Sequence, residues 1–179
     1  YMDVIALGKQ ADGGGIVNRV VVELVSALRT PRFRSRLFGA MRKLLNCSQM
    51  SAYLLEEGGK PQLLCALDRG EDFLWHRVAE RSISHWHREP VNAHLFGRPG
   101  ELIDGDLCFR LSEDEMLRSQ YRRQCYEPTH WQRVGSRLVD RLTLTRMRDG
   151  RFMKINVYRH RDDGRFSGDD AASFMAWSD

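Results

Sequence analysis

Four of the six histidines, His76, His85, His87 and His94, fall between positions 76 and 94, and imidazoles so concentrated are a common metal-binding set. His85 and His87 stand two apart on a predicted helix, so their rings diverge. No HExxH or comparable pattern joins them, and no metal site is expected. Cys47, Cys65, Cys108 and Cys125 are widely separated, with no Cys-x-x-Cys pair; they are expected to be small core residues of a reducing cytoplasm. The serines lack a G-x-S-x-G elbow. No glycine-rich phosphate loop is present, and the triple glycine at 13–15 follows no strand. The carboxylate pairs have local explanations, Asp104 and Asp106 in turn hydrogen bonding and Asp169 and Asp170 at a helix start. No catalytic residue and no cofactor is assigned, and the chain is expected not to be an enzyme.

The chemistry that remains is recognition. Large aromatic side chains with a few polar groups are what a small-molecule pocket requires. The candidate ligand-binding residues are Tyr53, Phe73, Trp86, Phe109, Tyr121, Trp131 and Tyr158, with Arg141 and Asn156 as polar partners. Trp75 and Phe152 are aromatics of the same kind. Each aromatic also fits plain core filling.

Elements must position these residues. Val17, Val20, Val21, Leu24 and Leu28 recur at three and four residues, one apolar helix stripe. Thr30 and Pro31 read as the cap and first-turn proline of a second helix, striped by Phe33, Leu37, Met41 and Leu44. "SQMSAYLLEE" and "PQLLCAL" read as a hairpin around a glycine turn. The segment 71–89 suits a helix with Trp75, Ala79, Ile83 and Trp86 toward one side, ended by Pro90. Residues 91–111 read mostly as loop. Ser112 and Glu115 form a capping box for a helix through about Tyr126. "SRLVDRLTLTRMR" and "RFMKINVYRHR" flank Asp149-Gly150, a tight hairpin turn. In the second of these strands Met153, Ile155 and Val157 face one way, and Phe152, Lys154, Asn156 and Tyr158 the other. Ser167 and Asp170 cap a closing helix. Hairpins separated by helices imply an α+β fold, a central antiparallel sheet with helices on both faces.

At 179 residues the chain suits one domain. Residues 1–15 read as a flexible lead-in or expression remnant, and 16–179 as the domain. No apolar run approaches the roughly 20 residues needed to span a bilayer, and the opening lacks a secretory pattern. The formal charge is +4, unevenly placed: residues 16–45 hold seven basic side chains against the single acid Glu23. A nucleic-acid contact through 29–36 is one reading, and a solvated helix face is the preferred one.

The run "YRRQCY", then "DRLTL", then "INVYRHRDDGRFS" leading into a helix, is similar to the second half of a GAF-like sensor domain. More narrowly, it resembles the domains that precede the LuxR-type helix-turn-helix of bacterial transcriptional regulators. "MSAYLLEEGGKPQLLCAL" and "REPVN" fit the same layout, over residues 33–179. The resemblance implies a GAF/PAS-like fold and a homodimer through the terminal helices. It also implies an unidentified small-molecule effector, and DNA contact only through a helix-turn-helix expected downstream. Neither the cyclic-nucleotide signature nor a bilin-anchoring Cys-His pair is present, since Cys108 precedes Phe109. The leading expectation is a cytoplasmic signal-sensing and dimerisation domain. The alternatives are a GAF/PAS module of a kinase or cyclase, and a small redox enzyme using Cys108 or Cys125.

Overall fold

The computed structural model describes residues 3–5, 30, 32–56, 59–69, 73–96, 105–112, 115, 118–125, 138–148 and 150–178, with backbone only for 3–5, 73, 74, 105, 138, 139, 148 and 178. Among these, six strands form one antiparallel sheet: β1 (Asp3–Ile5), β2 (Gln49–Glu56), β3 (Gln62–Asp68), β4 (Gly105–Ser112), β5 (Leu138–Arg148) and β6 (Arg151–His160). Their spatial order is β1-β4-β5-β6-β2-β3. The helices are α1 (Phe33–Leu45), α2 (Phe73–Ser84), α3 (Pro90–Phe96), α4 (Gln120–Cys125) and α5 (Gly168–Ser178). The expected α+β architecture is what is found.

Local signals explain much of this. The β5–β6 hairpin closes with Arg148 opposite Arg151, and Gly150 takes the φ of +70° that a two-residue turn demands. The Ser167 hydroxyl accepts the Asp170 amide, and the Asp170 carboxylate accepts the Ser167 amide, so α5 starts on a reciprocal cap. At the end of α1, Asn46 adopts a left-handed φ of 45° and its amide donates to the Arg42 carbonyl.

Five expectations are corrected or refined. Residues 91–111 are not mostly loop: α3 and β4 lie there, and β4 pairs with β5 from Gly105↔Met147 to Ser112↔Asp140. The glycines and the Gly105-Asp106 start of β4 masked a strand whose ladder, rather than its propensity, holds it. Pro90 does not end a helix but opens α3, because a first-turn position needs no amide hydrogen. Glu89 before it is extended, at φ −65° and ψ 130°. Asp106 lies not in a turn but in β4, paired across the ladder with Arg146 at 2.6 Å. The N-cap of α1 is Arg32, with no side-chain cap, rather than Thr30, whose carbonyl accepts the Phe33 amide. Asp3–Ile5, within the segment read as a lead-in, add a short strand against β4. The predicted helix over 16–28 lies outside the described residues.

Strand alternation divides the interior in two. On one face Met50, Ala52, Cys108, Leu142, Leu144, Ile155 and Val157 pack against Leu37, Phe38, Met41 and Leu45 of α1 and Phe174 of α5. On the other, Phe109, Leu111 and Tyr158 meet Trp75 and Val78 of α2, Val91 of α3, and Tyr121 and Cys125 of α4. Both segregations follow from the two-residue period of the strands and the 3.6-residue period of the helices.

Candidate functional site

The second face departs from an ordinary core in its polarity. Register places Gln49, Ser51 and Tyr53 of β2 beside Tyr158, Asn156 and Lys154 of β6, and these beside Arg141, Thr143 and Thr145 of β5. Each is at most 4 % exposed. Buried polar groups are stable only when partnered, and most of these partner one another. Thr143 Oγ1 donates to Asn156 Oδ1 at 2.8 Å, and Asn156 Nδ2 donates to Ser51 Oγ at 3.2 Å, a chain across three strands. Ser82 of α2 lies 2.9 Å from the Tyr53 hydroxyl and donates to the Ala79 carbonyl. Gln49 Oε1 is buried without a hydrogen-bond partner.

At the centre is Glu89, between the 3₁₀ turn Trp86–Arg88 and α3. One carboxylate oxygen accepts from Arg141 and the other from Lys154. The second oxygen also accepts the Asn92 amide at 2.9 Å, so Glu89 caps α3 as well. Asn92 Oδ1 accepts from Lys154 at 2.9 Å, and its amide nitrogen donates to the Trp86 carbonyl. Burial raises the Glu89 carboxyl, but Arg141 and Lys154 together with the hydrogen bonds outweigh it and hold it at about 2. Burial lowers the Lys154 ammonium to about 8; Glu89 opposes that fall and Arg141 adds to it. At neutral pH the centre is therefore a carboxylate clasped by two cations.

Aromatic rings enclose it. Trp86 meets Tyr53 edge-on at 5.8 Å and Phe152 at 5.9 Å, and Phe96 of α3 meets Phe152 at 5.1 Å. Lys154 Nζ stands 5.4 Å from the Trp86 ring centroid, and the Arg141 guanidinium 5.9 Å from that of Tyr158. Trp75 donates its indole hydrogen to the Met50 carbonyl at 2.9 Å and packs on Tyr158 at 4.8 Å, fastening α2 to the sheet.

Of the residues singled out from the sequence, Tyr53, Trp86, Arg141, Asn156 and Tyr158 line this one face around Glu89 and Lys154. Phe109 and Tyr121 belong to the adjoining apolar cluster. Phe73 opens α2, with its side chain outside the description, and Trp131 lies outside the described residues. Sequence reasoning missed Glu89, Asn92 and Lys154. A lysine alternating with Asn156 and Tyr158 in a strand of apolar and aromatic residues was the available signal, since that alternation already put it on the inner face.

The other chemistries can be placed too. Among the described residues no group of three or more histidine, cysteine or acidic side chains is arranged for a metal. Burial pushes Cys47, Cys108 and Cys125 up to about 12, which leaves essentially no thiolate at neutral pH. No described helix is long and apolar enough to cross a membrane.

No family model and no curated protein matches the chain. Solved structures do. The VqsR LBD domain from Pseudomonas aeruginosa superposes with a TM-score of 0.56 at 18% identity, covering 92% of this chain and 93% of that one. The N-acylhomoserine lactone dependent LuxR family transcription factor CepR2 from Burkholderia cenocepacia gives 0.55 at 10% identity, covering 91% and 86%. At such identities the likeness concerns architecture: this chain has the fold of LuxR-type sensor domains.

Proposed function

We propose that the chain is the signal-sensing and dimerisation domain of a cytoplasmic transcriptional regulator. In this reading a small-molecule effector enters between the polar sheet face and the layer formed by α2, the Trp86–Arg88 turn and α3. One observation carries it: a row of buried hydroxyl, amide and charged groups on β2, β5 and β6, roofed by aromatics. A core built for stability alone uses apolar residues there, since buried ion pairs are poor stabilisers. Tyr53, Trp86, Arg141, Asn156 and Tyr158 are the proposed contacts, with Phe109 and Tyr121 of the adjoining cluster completing the wall; ligand contact by Phe73 and Trp131 is proposed from the sequence alone. Two cations and several neutral donors suit a polar ligand, and the fold shared with an N-acylhomoserine lactone dependent regulator supports a sensory role.

Output would pass through the opposite face. There α1 packs beside α5, and an effector that binds one arrangement of these helices more tightly biases the geometry of a dimer formed through them. A helix-turn-helix in the full regulator would read that geometry. The test is effector titration of the full regulator, following dimer geometry by scattering and operator affinity by anisotropy. A change in both is expected on binding; saturable binding that alters neither overturns the relay.

A further inference from the structure

We infer that the ligand of this site is an organic carboxylate with an apolar body, and that it takes the place now held by the Glu89 carboxylate. The inference rests on the sensing role proposed above and specifies its chemistry.

The cations and the anion of the cluster are mounted differently. Arg141 and Lys154 stand on β5 and β6, strands paired on both sides within the sheet. Glu89 is carried by a connecting residue in extended conformation between a three-residue turn and a seven-residue helix. Apart from its salt bridges, that segment is held over the sheet by the Asn92–Lys154 hydrogen bond, by ring contacts of Trp86, His94 and Phe96, and by Val91, buried in the apolar cluster with Phe109 and Tyr158. Cations fixed on a rigid sheet, facing a carboxylate on a short irregular segment, form a site in which the acid can be exchanged and the cations cannot.

The chemistry limits what exchanges for it. Two buried cations stripped of the carboxylate they share carry a large desolvation penalty, so a neutral ligand cannot displace Glu89. A carboxylate restores both ion pairs. Glu89 competes from within the same chain at an effective concentration of about millimolar or above, so a bare carboxylate such as acetate is outcompeted. The body of the ligand must add apolar contact, and Tyr53, Trp86, Phe96 and Phe152 supply the rings. Displaced Glu89 would loosen the start of α3 and the Trp86–Arg88 turn while Val91 stays anchored in the apolar cluster, a local rearrangement of the kind a sensor needs.

The test uses two matched pairs on the full chain at about pH 6.5, where Lys154 is charged: N-hexanoylhomoserine lactone against its ring-opened acid, and benzamide against benzoate. Binding is read by melting temperature and tryptophan emission. The ring-opened acid is expected to bind at least about tenfold more tightly than its lactone, and benzoate likewise over benzamide. Glu89→Gln, which keeps the cap acceptor and removes the rival charge, is expected to tighten both acids by a further factor of about ten. Lys154→Met is expected to lose the preference and Lys154→Arg to keep it, which separates loss of charge from loss of folding. If the neutral partners bind as well as or better than the acids, the carboxylate inference falls while the sensing role stands. If none of the four binds wild type or Glu89→Gln, the inference also falls, and the sensing role is then judged by the titration of the full regulator alone.

Discussion

Glu89 does three things with one carboxylate: it caps α3, pairs with Arg141 and pairs with Lys154. Removing one member of a buried ionic cluster strands the others, so Glu89→Ala is expected to destabilise the fold by about 3–5 kcal/mol, read from urea midpoints. The pH dependence follows from the direction of its shift. Its carboxyl is held at about 2 in the folded chain, below the ordinary 4.5. The unfolded chain therefore binds the proton first, and the Glu89 contribution is complete above about pH 4.5 and is lost as pH falls toward 2. The charged groups facing it are Arg141, which stays protonated throughout, and Lys154, held at about 8 and so outside that window. Asp140, whose carboxyl burial raises on the other face, contributes with the opposite sign. The difference between wild type and Glu89→Gln isolates Glu89: wild type should lose its advantage between pH 4.5 and 2, and a constant difference across that range would refute the assignment.

Among the elements, α5 offers the cleanest check. Its first turn depends on the reciprocal Ser167–Asp170 cap. Asp170 also holds Arg159, whose guanidinium donates to the Leu45 carbonyl at the end of α1 and lies 4.3 Å from the Phe166 ring centroid. Ser167→Ala is expected to cost about 0.5–2 kcal/mol. Asp170→Ala should cost more, because it also leaves Arg159, 8 % exposed, without its acid; equal costs in urea titration would mean that the cap alone matters. The cap was legible because both members lie three residues apart in sequence. The strand β4 was not, since nothing within Gly105–Ser112 announces pairing to β5, a segment some thirty residues further on.

For the molecule as a whole, the sheet is a partition with different chemistry on its two sides. The α1–α5 side has an apolar centre, with Asp140 and Arg159 buried at its edge, and Phe174 sits in that centre fully buried. Phe174→Ala is expected to destabilise by about 3–5 kcal/mol through the cavity it leaves and to weaken the α1–α5 contact without altering the Glu89 centre. Trp177 stacks on Phe174 at 6.3 Å, so the comparison is made in a Trp177→Phe background, where the emission of the remaining tryptophans in the folded fraction should stay unchanged while the melting temperature falls. A shift in that emission would mean that the two faces are coupled already without ligand.

The alternation of β6, the turn at Gly150, the α1 stripe and the α5 cap are all local patterns, and the residue order alone determined them, because their periods and spacings are short-range properties of the backbone. That was enough to place Asn156 and Tyr158 on an inner face and to reach an α+β sheet with helices on both sides. The meeting of Glu89 with Arg141 and Lys154 was decided only by the tertiary structure. The partners lie 52 and 65 positions apart, and an acid before a proline reads as surface punctuation until a strand register and the course of the Trp86–Arg88 turn bring it over the sheet. Which charges share one buried volume is a property of packing, and no spacing rule encodes it.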